Sequence, residues 1–197
     1  RYSDGQLARL IKHGIKHDGT SVLFMPSTDF AWWPDSDVVA VISYLRAMPS
    51  VDGDIGIMQP SALMKVLDRL DQMPCDIARR IDHTQTTIAP TPAVTVEYGS
   101  YLARLCTGCH GPTLGGGPIP GAPPSMPIPQ NLTPHATGLK GWTLADFRKT
   151  LREGTRRSGK RMAPMMPVEI TKNFSDVELE ALWAYLQTVP AVPFGER

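Results

Sequence analysis

Five consecutive residues, Cys106-Thr107-Gly108-Cys109-His110, carry the clearest chemical signal in this sequence. The pattern C-x-x-C-H is the attachment signature of a c-type haem, in which each thiol forms a thioether bond to one edge of the porphyrin. A histidine that directly follows the second cysteine can reach the iron with its imidazole. The segment therefore predicts one haem c attached covalently to Cys106 and Cys109, with His110 next to the iron.

A bare C-x-x-C pattern is also compatible with a redox-active dithiol or with half of a zinc site. A zinc site needs a second pair of ligands, and the sequence contains no second Cys-x-x-Cys pair. A thioredoxin-like dithiol lies near a βαβ pattern, whereas residues 98–105, which precede the motif here, have the pattern of a helix. Both observations favour haem attachment.

Composition excludes several classes of function. The chain has 197 residues and a net charge of +1, which gives no indication of a nucleic-acid partner. No run of about 18 apolar residues is present, so the sequence predicts no membrane span within this chain. Its 19 prolines and 17 glycines indicate many loops and a small hydrophobic core. A buried haem would stabilise such a fold.

The chain starts with Arg1 and shows no signal sequence. Because bacteria attach haem covalently outside the cytoplasm, we expect a periplasmic or other extracytoplasmic protein whose leader lies upstream. A missing N-terminal segment of this kind would also allow membrane association.

The sequence contains an internal repeat, in which residues 7–51 align with residues 147–192. Within the second copy, only Met166 of its three closely spaced methionines aligns with Met25; Met162 and Met165 do not. The repeat therefore singles out Met166. The aligned pairs are Tyr2-Ser3 with Trp142-Thr143, Gly14 with Gly154, Gly19 with Gly159, Met25-Pro26 with Met166-Pro167, Asp35 with Asp176, Tyr44 with Tyr185 and Leu45 with Leu186.

Both copies have the pattern of a helix, a glycine stop, a methionine-bearing loop and a second helix, which predicts an all-α fold. Ser3 with Gln6, and Ser175 with Glu178, have capping-box spacing. Apolar residues recur at helical spacing in the last helix of each copy. These residues are Val38, Val41, Ile42 and Leu45 in the first copy and Leu179, Leu182, Trp183 and Leu186 in the second.

Only the second copy follows a haem-attachment segment. We therefore expect a further C-x-x-C-H half-domain before residue 1 in a longer polypeptide, or a chain that is one piece of a broken one. The predicted organisation is the C-terminal half of a first domain at residues 1–51, a helix-containing, Pro- and Thr-rich linker at residues 52–93, and a complete domain at residues 94–197. An orphan half-domain would leave an apolar stripe exposed.

With these motifs in place, residues of about 94–192 resemble class I cytochrome c domains, and residues 1–51 resemble the C-terminal half of such a domain. The resemblance is strongest to bacterial extracytoplasmic dihaem and multihaem cytochromes, including the cytochrome subunits of membrane-bound dehydrogenases. The matching residues are Tyr98-Gly99-x-Tyr101-Leu102, Cys106-x-x-Cys109-His110-Gly111, Asn131-Leu132-Thr133-Pro134, Thr137-Gly138-Leu139, Gly141-Trp142-Thr143, Met166-Pro167 and Ala184-Tyr185-Leu186.

The resemblance implies a few helices wrapped around the haem, with His110 as the proximal iron ligand and Met166 as the distal one. A His/Met pair raises the reduction potential and occupies both axial positions. By the same argument, Met25 would ligate a second haem attached upstream.

Three further residues are candidates for haem contacts. The carbonyl of Pro120, or that of Pro118, is expected to accept a hydrogen bond from the second nitrogen of His110 and so to orient the ring. Asn131 and Trp142 are candidates to contact the propionates or the edge of the haem, and ordinary core packing is the alternative for both.

These expectations lead to three hypotheses for function. The first is an electron-transfer protein whose redox partner is a dehydrogenase, an oxidase or a photosynthetic complex. The second is an enzyme similar to a dihaem peroxidase, which would need one haem without a distal ligand. The third is a structural haem subunit of a larger membrane redox complex.

Overall fold

The computed structural model describes residues 2–23, 25–53, 56, 59–72 and 75–197. The chain divides into two compact units, residues 1–89 and 90–197. Throughout the described residues the regular structure is helical, and β-type pairing is limited to three isolated bridges. The predicted all-α fold class is confirmed.

The described residues contain eight α-helices and one short 3-10 helix, Ala78–Arg80. The first unit holds α1 (Asp4–His13), α2 (Ser27–Phe30), α3 (Asp35–Ala47) and α4 (Ala62–Arg69). The second unit holds α5 (Val96–His110), α6 (Leu144–Glu153), α7 (Val168–Thr171) and α8 (Asp176–Leu186).

The two copies of the repeat have the same local backbone structure. Gly14 and Gly154 end α1 and α6 in the left-handed conformation, with φ of 65° and 66°. Their carbonyls accept hydrogen bonds from the backbone N–H groups of Val22 and Met162, each at 2.7 Å. A glycine fits here because a Cβ is disfavoured at positive φ. The glycine stops predicted from the sequence are therefore present in both copies.

An ion pair joins the first helix of each copy to the start of its last helix. Lys12 Nζ lies 2.7 Å from Asp35 Oδ1, and Arg152 Nη2 lies 2.7 Å from Asp176 Oδ1. The repeat aligned the two aspartates, and the structure adds their basic partners at aligned positions of α1 and α6.

The core of the second unit forms where α5 packs against α8. Gly99 of α5 makes this approach possible, since a Cβ there would lie 1.9 Å from the carbonyl oxygen of Ala181. The buried residues of this core are Tyr98, Leu102, Ala103, Leu114, Leu139, Phe147, Leu151, Leu179, Ala181, Leu182 and Leu186.

Among the described residues of the first unit, no helix packs against α3 as α5 packs against α8. Val38 and Ile42 are buried with Ile11 of α1, and Val41 packs against them partly buried, but Leu45 at the end of the predicted apolar stripe is open. Tyr44 is 69% exposed and Leu45 is 46% exposed. In the described part of this unit, α3 therefore uses only one side of its apolar surface.

The region predicted as a linker, residues 52–93, differs from that prediction over much of its length. It does contain a helix, α4, but residues 75–81 pack into the first unit. Ile77 and Ile81 are buried in a cluster with Val22 and Ala31, and the backbone N–H of Ala78 donates to Ser21 Oγ at 3.1 Å. Because Ile77 and Ile81 are buried in the core of the first unit, residues 75–81 belong to that unit, and the boundary between the units falls after residue 89.

Candidate haem-attachment site

A single helix, α5, carries the cysteines and the histidine of the attachment motif. It is capped by Thr95, whose hydroxyl accepts a hydrogen bond from the backbone N–H of Tyr98 at 3.2 Å, and it runs from Val96 to His110. Side chains three and four residues apart share one face of a helix. The last turns of α5 therefore present Cys106 on the same face as Cys109 and His110.

The imidazole of His110 is buried and held in one tautomer. Its Nδ1 lies 2.6 Å from the carbonyl oxygen of Gln130. Because a carbonyl can only accept, Nδ1 must carry the proton and Nε2 is left as the free electron-pair donor. Burial lowers the pKa of His110, the bond to Gln130 acts in the opposite direction, and Arg197 lowers it further. The result is a neutral imidazole suited to ligate a metal.

Gln130, and not Pro120 or Pro118, supplies the carbonyl that orients His110. Both prolines are exposed. The loop after α5 folds back on itself, with the backbone N–H of Leu132 donating to Leu114 at 2.8 Å, and this return brings residue 130 to the histidine. The sequence predicted that a backbone carbonyl accepts this hydrogen bond but not which residue supplies it, because the return of the loop depends on tertiary hydrogen bonds.

The end of the chain holds the same loop. The backbone N–H of Gly195 donates to the carbonyl of Gly115 at 3.1 Å, and Arg197 Nη1 donates to the carbonyl of Gly117 at 2.9 Å. Between these two glycines, the backbone N–H of Gly116 donates to the carbonyl of His110 at 2.9 Å. Residues 195–197 thus hold the loop of residues 115–117 in place, a long-range contact that local sequence patterns do not predict.

Both motif cysteines are free thiols. Burial raises the pKa of Cys106 to about 11, and Cys109 adds to the rise. A redox-active dithiol needs the reverse, a depressed pKa that yields a thiolate. The dithiol alternative is therefore disfavoured by the environment of Cys106, whereas the pairing of a sheltered thiol with the exposed Cys109 is compatible with attachment to a group lying along α5.

Met166 lies at the edge of the core that also contacts Cys106 and Trp142. Its rival Met165 is 45% exposed. The backbone N–H of Val168 donates to the carbonyl of Met166 at 2.8 Å, and this contact fixes the loop before α7. Of these two methionines, Met166 has the better position to serve a group bound at the core edge, and its role as an iron ligand stays a prediction.

Asn131 is buried and has a full set of hydrogen bonds. Its Nδ2 donates to Val192 O at 2.7 Å and to Thr137 Oγ1 at 3.1 Å, and its Oδ1 accepts from the backbone N–H of Thr133 at 2.8 Å. These bonds tie the loop to the end of the chain. They favour the packing alternative over a direct haem contact.

Trp142 is half-buried against the core of the second unit. Within the described residues its indole N–H has no hydrogen-bond partner, although a buried Trp donor usually finds one. It thus keeps a donor for a haem propionate, and its contact with the haem stays a prediction.

In the first unit, Met25 is half-buried between the two clusters of buried residues there. The backbone N–H of Ser27 donates to the carbonyl of Met25 at 2.8 Å, the same bond and length as at Met166. The loop geometry is thus repeated, and ligation by Met25 stays a prediction.

His13 and His17 are four residues apart in sequence, a spacing that two zinc ligands can have. In the structure His13 Nδ1 lies 3.0 Å from His83 Nδ1, whereas His17 packs edge-on against the ring of Tyr2. The described residues contain no group of three or more His, Cys, Asp or Glu side chains that could hold a metal ion.

The residues present fit a covalently attached haem. Two free thiols stand three positions apart, a neutral histidine keeps Nε2 as a donor, and half-buried apolar side chains border the same core. The donor set matches the His and Met ligands of cytochromes c.

Residues 96–190 match the family model described as cytochrome c. The chain is also similar to three curated proteins. It is 32% identical over 117 residues to the fructose dehydrogenase cytochrome subunit of Gluconobacter japonicus, across 55% of this chain and 24% of that protein.

It is 33% identical over 110 residues to the cytochrome c subunit of alcohol dehydrogenase (quinone) of Gluconacetobacter polyoxogenes, across 51% of this chain and 24% of that protein. It is 37% identical over 98 residues to the gluconate 2-dehydrogenase cytochrome c subunit of Pantoea cypripedii, across 46% of this chain and 22% of that protein. The chain thus spans less than a quarter of the length of each of these relatives.

None of the helices in the described part of the chain has the length and apolar character of a membrane-spanning segment.

Proposed function

We propose, because residues 96–190 match the cytochrome c family model, that this chain relays single electrons as the haem-bearing part of a larger redox complex. The observation that carries the proposal is the tautomer of His110, fixed by its 2.6 Å hydrogen bond to the Gln130 carbonyl. A buried imidazole with a free Nε2 is a ligand, and the thiols of Cys106 and Cys109 beside it are the attachment points.

Bound haem c supplies one-electron chemistry at iron. Cys106 and Cys109 would hold its edge, and His110 and Met166 would fill the two axial positions. If both side chains ligate the iron, they would leave no open coordination position for a substrate. This arrangement favours electron transfer over peroxidase-like chemistry.

The partner that we propose is a dehydrogenase, because the relatives reported above bear the names of dehydrogenase cytochrome subunits. A protein of this kind accepts electrons from the catalytic subunit of its complex and passes them on. We place the protein outside the cytoplasm, since covalent haem attachment takes place there in bacteria.

The test of ligation uses the haem-loaded full chain and carbon monoxide, which binds ferrous haem only where an axial position is open. We expect the reduced native protein to bind no carbon monoxide and Met166→Leu to bind it. The matched control is Met165→Leu, at the exposed neighbouring position, which should behave as the native protein does.

Binding of carbon monoxide by the native protein would contradict the relay and favour an enzyme with an open haem. Binding by Met165→Leu but not by Met166→Leu would move the ligand to residue 165.

We further infer that Met25 serves a second haem, attached to a half-domain that precedes residue 1. Two observations support this inference: Met25 repeats the loop hydrogen bond of Met166, and Leu45 and Tyr44 of α3 are exposed where the aligned residues of α8 meet α5. A helix equivalent to α5 would cover them.

The test of the second haem is the intact mass of the protein purified from its native source, together with its haem content. A mass well above 21.6 kDa with at least two haems is the expected result. A mass equal to this chain plus one haem would contradict the role proposed for Met25.

A further inference from the structure

A strongly basic segment of the second unit runs from α6 to the loop that carries Met166. Residues 144–161 contain seven Arg and Lys side chains against two carboxylates, Asp146 and Glu153. Four of the cations lie in a tight turn at residues 155–161, here called the cationic turn. They are Arg156, Arg157, Lys160 and Arg161.

The backbone of the cationic turn is well defined by hydrogen bonds. Thr155 and Arg161 form an isolated antiparallel bridge, and the backbone N–H of Arg156 donates to the carbonyl of Lys160 at 2.9 Å. Gly159 closes the turn at a φ of 78°. The cations are therefore held on a fixed backbone.

Only some of the cations are neutralised by carboxylates. Arg152 pairs with Asp176 at 2.7 Å, and Arg157 lies 3.7 Å from Asp146 and donates to the Gly141 carbonyl at 2.7 Å. The remaining cations have no carboxylate within ion-pair distance among the described residues. They are Lys149, Arg156, Lys160 and Arg161.

Lys149 of α6 belongs to the same surface as the turn. A cleft of about 210 Å³ separates them, and its lining includes Lys149, Thr150, Arg156 and Arg157. Lys149 also contributes, with Arg157, to the lowering of the pKa of Asp146. Lys149 and Arg156 thus line one cleft, together with Asp146, and Lys160 and Arg161 lie in the same turn as Arg156. Lys149 and the cationic turn are together called the positive patch.

The first copy of the repeat provides an internal reference. Its aligned turn, residues 15–21, has the same backbone bridge and the same glycine. Thr20 and Ser21 stand where the second copy has Lys160 and Arg161, and Asp18 stands where it has Ser158. The first copy keeps one cation, Lys16, at the position of Arg156, so the backbone of the turn does not require the additional charges of Lys160 and Arg161.

The location of the patch connects it to the haem site. The cationic turn leads directly into the loop of Met166, since Arg161 precedes Met166 by five residues. A protein docked on the turn would lie beside this loop. Electron transfer needs such close approach, and charge complementarity is the means by which transient redox complexes assemble quickly.

We propose that the cationic turn, together with Lys149, is the docking surface for an acidic face of a redox partner protein. This proposal rests on the electron-transfer function proposed above. It adds the location of the contact and the charge of the partner.

The test measures reduction of the ferric haem in the full-length, haem-loaded protein by the hydroquinone of flavodoxin, an acidic protein that donates one electron and becomes the semiquinone. The test variant is Arg156→Glu/Lys160→Glu/Arg161→Glu. We expect its second-order rate constant at low ionic strength to fall about tenfold or more. At about 1 M salt, where the Debye length is roughly 3 Å, the rates should converge.

The matched control is Lys16→Glu/Lys65→Glu/Arg69→Glu, which changes the net charge by the same amount at positions in the first unit. We expect the rate constant of this control to stay within about twofold of the native value, because a local contact depends on local charge. Equal losses in the two triple variants would overturn the proposal, since the effect would then come from net charge.

Two further measurements separate the remaining outcomes. Duroquinol, an uncharged reductant, should reduce all three proteins at equal rates; failure to reduce any of them would contradict the electron-transfer function itself. Vesicles of phosphatidylglycerol and phosphatidylcholine test the other polyanionic surface. If the native protein binds these vesicles through the turn while flavodoxin rates are equal in all proteins, the patch binds a membrane and the proposal is wrong.

Discussion

Helices α3 and α8 occupy equivalent places in the two copies of the repeat, yet they are buried to different extents. Val38 of α3 and Leu179 of α8 are both almost fully buried, at 2% and 0% exposure. Two turns further along, Leu45 is 46% exposed whereas its aligned partner Leu186 is 1% exposed. The difference arises on the face that α5 covers in the second unit.

The comparison shows which contacts a methionine-loop half can make by itself. The buried part of α3 contacts α1, just as α8 contacts α6, and these contacts need no other element. The second side of α8 is buried only because α5 supplies Gly99 and the apolar side chains around it. The helix that carries the haem motif is therefore also half of the core.

The largest expected difference between the copies comes from Leu186→Ala and Leu45→Ala. Truncation of a fully buried leucine costs about 2–5 kcal/mol of unfolding free energy, whereas an exposed position should change it by no more than about 0.5 kcal/mol. Chemical denaturation of the haem-loaded 197-residue chain by itself, with hydrogen exchange followed in peptides from 35–47 and 176–186, measures each unit. An equal loss at Leu45 would contradict this prediction, because it would mean that α3 is covered within this chain.

The next effect tests the approach of α5 to α8. We expect Gly99→Ala to cost about 1–3 kcal/mol, because its Cβ would meet the backbone of Ala181 and the helices must separate. Gly5→Ala in α1 is the control: nothing lies within 4 Å of its Cβ, and the change should stabilise α1 by about 0.5–1 kcal/mol. Thermal unfolding measures both, and a neutral Gly99→Ala would mean that α5 and α8 lie farther apart.

A smaller effect should be equal in the two copies. Gly14→Ala and Gly154→Ala each place a Cβ at a φ near 65°, at a cost of about 1–2 kcal/mol. The nearest side-chain atom to the new Cβ, from Val22 or Val168, lies at 3.2 Å in each case. Losses in denaturation that differ by more than about 1 kcal/mol would show that the two loops are less alike than their hydrogen bonds indicate.

The smallest expected effect is a pH dependence of stability, and it distinguishes α1 from α6, the first helices of the two copies. Both have capping boxes, closed by uncharged Gln6 in α1 and by Asp146 in α6. Hydrogen bonds from Thr143 lower the pKa of Asp146, and the bond from its backbone N–H has a larger effect than the bond from its hydroxyl. Its contribution to stability is therefore full above the unfolded pKa of about 3.9 and is lost as the pH falls through the lower folded value.

Comparison of native protein with Asp146→Asn isolates this contribution, since asparagine can still accept the bond. The difference in unfolding free energy between them should be constant above about pH 5 and disappear in acid. The corresponding Gln6→Asn change in α1 should show no such pH dependence. A pH-independent difference at residue 146 would contradict the assignment.

Helix ends, helix caps and the position of the haem-attachment motif depend on local spacing, and the sequence was sufficient to predict them. The C-x-x-C-H motif lies at the end of a helix, Gly14 and Gly154 stop their helices, and Ser3 and Ser175 form the predicted capping boxes. These features involve residues only a few positions apart, so the type and spacing of side chains are enough to predict them. The repeat extended this reasoning to the choice of Met166 over Met165.

Contacts between residues far apart in sequence could be identified only from the folded structure. The carbonyl that orients His110 belongs to Gln130 because the loop returns to Leu114, and no local rule selects that residue over Pro120. Residues 75–81 join the first unit because Ile77 and Ile81 find an apolar cluster there, although their composition is that of a linker. Burial and hydrogen bonding across long stretches of chain are properties of the folded molecule, and for that reason α3 and α8 differ where their sequences agree.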